Sequence, residues 1–443
     1  MEIDLVTLED LSIFNREEKF SIFHLLDFTR TSGGSDELSR IFHEPLSDHQ
    51  KVIDTQKTLQ FIASRIDSWP MEVTNGTVMV IEKFFDTHNE PIPGIQGGLS
   101  AINNLYYRII NSADYSIIRY SITHFIIFVQ TLHKLITRLD GGEETPVLLK
   151  SVLLKASSFL GKTKIQELIE TDSKAQLGFQ KILYFGHAIK YQLVHPLEEL
   201  INIYNRLDAW YSMAMAVRKF QFSFPEFLIN ETPRLDVEGL YHPLVKNPVA
   251  YNVHLSETSN FLFLTGANMA GKSTFIKAIG VAAYLAHLGM AVPAKNMQLT
   301  FFEGLLSNIQ VQDNILLGES YFYNEVQRVK KTLLKINDGR RWLILIDELF
   351  KGTNFQDAQN CSTIVIKGLI NMKESLFVLS THLYEIAEGL KNYSNISFKY
   401  FETFVENETP KFSYQLKDGV SNDRLGFLIL KREKVLDLLQ QLK

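Results

Sequence analysis

Apolar residues recur at alternating spacings of four and three through Ile118, Ile122, Phe125, Val129, Leu132, Ile136 and Leu139, the period of one long helix with a packed seam. Gly141-Gly142 predicts its end. A second stripe, Leu197, Leu200, Tyr204, Leu207, Tyr211, Ala214 and Val217, runs toward Arg218-Lys219, and Pro225 closes that segment. The two stripes predict a pair of antiparallel struts whose apolar faces are bundle core. Between Lys219 and Arg234 the pattern changes: short apolar runs, such as Phe261 to Leu264, Leu343 to Ile346 and Leu376 to Leu379, alternate with helical stretches and turn residues. Four-residue apolar runs bounded by turns suit strands buried on both faces, so an α/β domain with a mostly parallel sheet is expected after residue 230. The expected division is a mostly α-helical domain over 1–230 and an α/β domain over 231–443.

Composition sets limits on this picture. A chain of 443 residues with 45% hydrophobic content has room for two or three domains with proper cores. The formal net charge of -5 carries no basic tail, so contact with nucleic acid would need a local patch. The single cysteine, Cys361, excludes internal disulfides and a cysteine-based zinc site, and is expected as a small apolar residue on the helix after the Leu343 strand. The start, Met-Glu-Ile-Asp-Leu, lacks the regions of a signal peptide. The longest apolar stretch, Ala278 to Ala294, is broken by His287, Gly289 and Pro293, which favours a core helix over a membrane span. A cytoplasmic protein without membrane contact is expected.

The chemistry concentrates in the second half. Gly266-Ala267-Asn268-Met269-Ala270-Gly271-Lys272-Ser273 fits G-x-x-x-x-G-K-S/T, and lies between an apolar run and the helical pattern from Thr274 to Leu288. Gly266 and Gly271 let the backbone curl so that successive N–H groups face one anion at a helix N-terminus. Lys272 would neutralise outer phosphates and the Ser273 hydroxyl would ligate Mg²⁺. Asp347-Glu348 ends the Leu343 run, which suits Asp347 to hold the metal through water and Glu348 to act as general base. Ser380-Thr381-His382 ends the Leu376 run, placing His382 beside a γ-phosphate or the attacking water. Upstream of Asp347, Gly318-Glu319-Ser320 stands just before a helical pattern; in ABC-type ATPases such a loop serves the partner's nucleotide, which assigns Ser320 a role in trans.

In these motifs the chain resembles the MutS family of DNA mismatch-repair ATPases. Gly266-Ala-Asn-Met-Ala-Gly-Lys-Ser-Thr274 is close to the family's G-P-N-M-G-G-K-S-T. Val292-Pro293-Ala294, Asp313-Asn314, the Gly318 to Glu325 segment, Asp347-Glu-Leu-Phe-Lys-Gly-Thr353 and Thr381-His382 are similar to V-P-A, D-D, G-x-S-T-F-x-x-E, D-E-x-x-x-G-T and T-H. Asp418-Gly419-Val420 and Gly426 resemble D-G-x-x-x-x-S-Y-G, although Arg424-Leu425 replace Ser-Tyr. His242-Pro243 and Asn252 resemble the lead-in to the family's ATPase domain, with Tyr251 or Asn252 near the adenine. Leu5 to Leu11, the Leu25 to Thr31 segment and Pro45-Leu46 look like the opening of its helical core domain, with Asp36 where that motif has Arg.

The resemblance implies an α/β P-loop domain of the ABC class, ending in a dimerisation segment, behind a helical core and lever domain. It implies no mismatch-reading or connector domain, and a clamp reduced or absent. It further implies hydrolysis of ATP with Mg²⁺ by a homodimer whose composite site takes Lys272, Ser273, Asp347, Glu348 and His382 from one subunit and Ser320 from the other. DNA, whether duplex, mismatched or branched, is the expected partner in repair or recombination, alongside repair proteins. Lys150, Lys155, Lys162, Lys164 and Lys174 are the candidate phosphate contacts, equally consistent with a solvated helix face. The alternative is an ATPase dimer working on a protein partner. A transporter ATPase is disfavoured by the short interval from Lys272 to Asp347 and by the helical domain in front.

Overall fold

The computed structural model describes residues 1–87, 90–94, 100–172, 176–229, 231–309, 321–406, 409–421, 434, 435 and 438. The chain divides into two compact units, one made of Met1–Leu25, Pro45–Val52 and Phe220–Lys443, the other of Leu26–Glu44 and Ile53–Lys219.

The second unit is helical. Its long helix, Ser112–Leu139, buries every residue of the predicted seam and also Ser121, Ile126, Phe128, Thr131 and Leu135. The buried stripe is wider than a two-helix seam because the helices Asn75–Asp86, Phe179–Tyr191, Thr163–Ile169 and Val147–Leu160 all pack on it. The helix Val194–Phe220 meets it at the Phe128–Tyr204 ring contact, 5.8 Å between centroids. The expected pair of struts is therefore a bundle with one central helix. Each fully buried Leu, Ile, Val or Phe contributes roughly 1.5–3 kcal/mol of transfer free energy. Inside this core a carboxylate is buried: Asp208, 1% exposed, accepts from the Arg30 and Thr31 N–H groups and from the Thr31 hydroxyl. Thr31 in turn caps the helix Ser32–His43 by accepting from the Gly34 N–H at 3.0 Å. Gly34 has no alternative, since a β-carbon there would lie 2.2 Å from an Asp208 carboxylate oxygen.

The other unit is α/β. Its strands are β1 (Glu2–Ile3), β2 (Glu226–Leu228), β3 (Arg234–Leu240), β4 (Tyr251–Ser256), β5 (Phe261–Thr265), β6 (Asn296–Thr300), β7 (Gly304–Asn308), β8 (Trp342–Asp347), β9 (Leu376–Ser380), β10 (Ile396–Glu406) and β11 (Thr409–Asp418). Among the described residues seven of them form one sheet in the order β1-β7-β8-β9-β5-β10-β11, parallel except for the β10–β11 pair. The order β2-β6-β3-β4 makes a smaller sheet. β5, β8 and β9 are buried at every position, as their unbroken apolar runs require. The helix Lys272–His287 packs against β8 and β9 and is buried at every residue except Ser273, Thr274 and Lys277.

The N-terminal residues differ from expectation, since Met1–Leu25 pack in the α/β unit and not with the helices. The reason is a strand and a buried charge. β1 pairs in parallel with β7, and the Thr7 hydroxyl accepts the Ser307 N–H at 2.9 Å. Asp10, 2% exposed, accepts from the Ser307 hydroxyl at 2.6 Å, the Ile309 N–H at 3.0 Å and the Arg328 guanidinium at 2.9 Å. No helix of the described residues is long and apolar enough to cross a membrane.

Candidate functional site

Register across the large sheet brings the predicted residues to one edge. Leu264 of β5 is level with Ser380 of β9, and Ser380 with Asp347 of β8. The three strands are adjacent and parallel, so the segments leaving their C-terminal ends, 266–273, 381–382 and 348–353, emerge side by side. In open parallel sheets such an edge is where ligands bind.

After β5 the chain turns sharply. Gly266 at φ 135° and Gly271 at φ 105° occupy conformations closed to side chains, and a β-carbon on Gly266 would meet Phe401 at 3.2 Å. Met269, between them, is left-handed at φ 68°; Asn268 and Met269 are exposed, while Ala267 and Ala270 are buried. Gly271 is the N-cap of the helix that begins at Lys272, and no side chain caps it. The first-turn N–H groups and the dipole of that helix thus meet at the loop. Lys272, 5% exposed, turns its ammonium back onto the Gly266 and Ala267 carbonyls at 2.9 and 3.0 Å and lies 3.3 Å from His382 Nε2. Burial lowers its pKa from the usual lysine value, against the pull of Glu348 and Asp347. Ser273 and Thr274 are exposed at the loop's exit.

Asp347 is a hydroxyl acceptor on both oxygens. Ser273 donates to Oδ2 at 2.5 Å and Ser380 to Oδ1. A hydroxyl and a carboxylate in contact are a hard, all-oxygen donor pair, the set that suits Mg²⁺ completed by phosphate and water. Among the described residues no group of three or more His, Cys, Asp or Glu side chains is placed to hold a metal alone. Glu348 stands at φ 65°, its N–H donating to the Ser380 carbonyl at 2.9 Å. Its carboxylate is 2.9 Å from His382 Nε2 and 3.4 Å from the Lys351 ammonium. Burial raises the Glu348 pKa, but the His382 hydrogen bond and the charges of His382, Lys351 and Lys272 outweigh it, so the net shift is downward from 4.5.

Tyr251 and Asn252, neighbours on β4, point to opposite faces and are separated. Tyr251 packs edge-on to Phe275 and Phe401 and lines a cavity of about 270 Å³ beside Gly271 and Thr274. Asn252 accepts the Gly239 N–H at 3.0 Å and lines a different, polar groove. Two residues of the Tyr251 cavity had no assigned role in the sequence. Tyr414 of β11 faces Gly271, whose β-carbon would lie 3.5 Å from its ring. His242, 7% exposed, accepts the Leu244 N–H on Nδ1 and, among the described residues, has no partner at Nε2; burial, then the Lys277 charge, lower its pKa to about 4. The His-Pro dipeptide was the available signal for His242. None existed for Tyr414, which arrives through strand pairing from far along the chain.

Of the candidate lysines, Lys150 and Lys155 lie on the helix Val147–Leu160 and Lys164 on the helix Thr163–Ile169, whose N-cap is Lys162. Lys150 and Lys162 are exposed. Lys155 is bound to Glu199 at 2.6 Å in a groove that also holds Asp36, Glu37 and Glu82, and Lys164 donates to Gln192. Lys174 and Ser320 lie outside the described residues, as do Asp313, Asn314, Gly318, Glu319, Arg424, Leu425 and Gly426.

Fold and site together define an α/β protein with a glycine loop, two strand-end carboxylates and a histidine on one parallel-sheet edge. The family model for MutS domain V matches residues 262–436. The chain is 28% identical over 278 residues to the DNA mismatch repair protein MutS of Petrotoga mobilis, covering 60% of this chain and 34% of that protein. It is 28% identical over 276 residues to MutS protein homolog 4 of Homo sapiens, covering 58% and 29%, and 26% identical over 298 residues to the MutS of Staphylococcus haemolyticus, covering 64% and 32%. Residues 262–436 thus match MutS domain V, and the chain is similar to MutS proteins over about 60% of its length while spanning about a third of theirs.

Proposed function

We propose that the α/β unit is a P-loop ATPase of the ABC class which binds ATP with Mg²⁺ and hydrolyses it to ADP and phosphate. The observation that carries this reading is the convergence of the Gly266–Ser273 loop, Asp347, Glu348 and His382 on the ends of three adjacent parallel strands. Lys272 exchanges its two loop carbonyls for phosphate oxygens, recovering in a charge-assisted contact what burial costs its ammonium. Ser273 and Asp347 hold Mg²⁺, which supplies charge neutralisation at the phosphates. Glu348 takes the proton of the attacking water, and His382, 2.9 Å away, orients that carboxylate. The cavity between Tyr251 and Tyr414 receives the base by stacking, with the buried His242 Nε2 as a donor at its wall.

The nucleotide site is completed across a homodimer by Ser320 of the second copy, and ATP-driven closure moves the helical unit between two states. The relatives' names, DNA mismatch repair protein among them, support action on duplex, mismatched or branched DNA in repair or recombination. A second reading, action on a protein partner, is favoured by the pairing of Lys155 with Glu199 and of Lys164 with Gln192, which removes two of the candidate phosphate contacts. Equilibrium binding of a fluorescent ATP analogue with Mg²⁺ tests the nucleotide site. Lys272→Ala is expected to weaken binding by about 100-fold, equivalent to ~3 kcal/mol for a lost charge-assisted pair. Equal affinity in the variant would reject the assignment of the loop.

A further inference from the structure

Glu325 is a buried carboxylate, 4% exposed, on the helix Tyr321–Ile336. Among the described residues it bonds to no side chain of the nucleotide site. Its two oxygens accept two consecutive backbone groups, the Lys351 N–H at 2.9 Å and the Gly352 N–H at 3.0 Å. Those residues belong to the loop that follows β8, in which Glu348 and Phe350 are both left-handed, at φ 65° and 59°. Two further contacts join the same pieces. A β-carbon on Gly352 would lie 2.6 Å from the Tyr321 ring and 2.7 Å from the Phe322 nitrogen, so the loop backbone touches the first turn of the helix. Phe322 and Phe350 pack with ring centroids 5.8 Å apart. On the other side of the loop, Lys351 reaches the Glu348 carboxylate at 3.4 Å.

We infer that Glu325 is a positioning residue for hydrolysis: by fixing the Lys351–Gly352 backbone it sets the place of the Glu348 carboxylate and ties that carboxylate to the first turn of the Tyr321–Ile336 helix. This rests on the reading of Glu348 as the base. Two left-handed non-glycine residues in three positions are strained and persist only where the surroundings over-determine them. A carboxylate accepting two adjacent N–H groups is such a restraint, because a charged acceptor gives stronger bonds than a neutral one. The loop and the helix start therefore move as one body.

The test is steady-state ATP turnover and fluorescent-nucleotide affinity for the wild type, Glu325→Ala, Glu325→Gln and Gly352→Ala, with thermal unfolding of each. Glu325→Ala should lower kcat by about 10–100-fold, the range for removal of a partner that orients a reacting group, with nucleotide affinity within about 2-fold of wild type. Glutamine can accept only one of the two N–H groups, so Glu325→Gln should fall between alanine and wild type. Gly352→Ala should give the same kcat loss by pushing helix and loop apart. If the alanine variant does not fold, the glutamine and Gly352 variants decide. Wild-type kcat in Glu325→Gln and Gly352→Ala, or a loss that tracks the unfolded fraction or nucleotide affinity, overturns the inference alone. A wild type that binds ATP but never turns it over overturns the reading of Glu348 as well.

Discussion

Glu348 shows how far a single residue departs from what its neighbours in sequence would suggest. An L-residue at φ 65° carries roughly 1–2 kcal/mol of steric strain, and here the Ser380 carbonyl and the His382 ring hold it there. Its pKa is net depressed below 4.5, so the associated stability is present above that value and is lost as pH falls through the lower folded value. Glu348 is accordingly ionised across the neutral range. A pH profile of kcat should show no acid limb from this group until below 4.5; a limb near neutrality that Glu348→Asp displaces would contradict the ion pairing. Ser380 makes a parallel case. Ser380→Ala removes one of the two hydroxyl donors to Asp347, a loss of about 1–2 kcal/mol, and should lower turnover by about 10-fold at saturating Mg²⁺. Titrating Mg²⁺ against turnover checks whether the defect is in metal affinity. The loop, Asp347, Glu348 and His382 were legible in the sequence because each motif is local and ends an apolar run. Ser380, Tyr414 and the separation of Tyr251 from Asn252 were not, since they depend on register between strands and on which face of β4 a residue takes.

At the scale of elements, two buried carboxylates do for this fold what periodicity cannot. Asp208 fastens the Arg30–Thr31 backbone to the helix Val194–Phe220, and burial raises its pKa from 3.8 to about 6 against the hydrogen bonds it accepts. A raised folded value means the contribution is fully present below 3.8 and is lost as pH rises through about 6. Urea unfolding of the helical unit should therefore become easier as pH rises from the acid side through that value, and Asp208→Asn should abolish the dependence. A dependence of equal size in the variant would contradict it. Asp10 likewise holds the N-terminal residues to β7 and Arg328. Asp10→Ala removes the buried carboxylate that accepts from Ser307, Ile309 and Arg328, and should cost about 3 kcal/mol in urea unfolding of the α/β unit. The long helical stripes were legible as core. Their arrangement was not, because a seam of period 3.5 looks the same whether one helix or four pack on it, and two residues of strand at the N-terminus carry no period at all.

At the scale of the whole molecule the tests concern a second copy and DNA. If Ser320 completes the site in trans, turnover per chain should rise with protein concentration and level off as the dimer saturates, with sedimentation velocity following the same curve. Strict proportionality down to a monomeric concentration would remove the trans role. If DNA is the partner, Lys150→Ala with Lys162→Ala should reduce the slope of log affinity against log salt by about 2, one phosphate contact each. Lys155→Ala, whose ammonium is already engaged by Glu199, should leave the slope unchanged. An absent gel shift with every DNA structure at low salt would favour the protein-partner reading. The most direct test of the central claim, that one sheet edge binds and hydrolyses ATP, is turnover by Glu348→Gln measured beside its nucleotide affinity. The account predicts unchanged ATP binding with turnover reduced at least about 100-fold, the contribution of a general base. Turnover at the wild-type rate in that variant would contradict it.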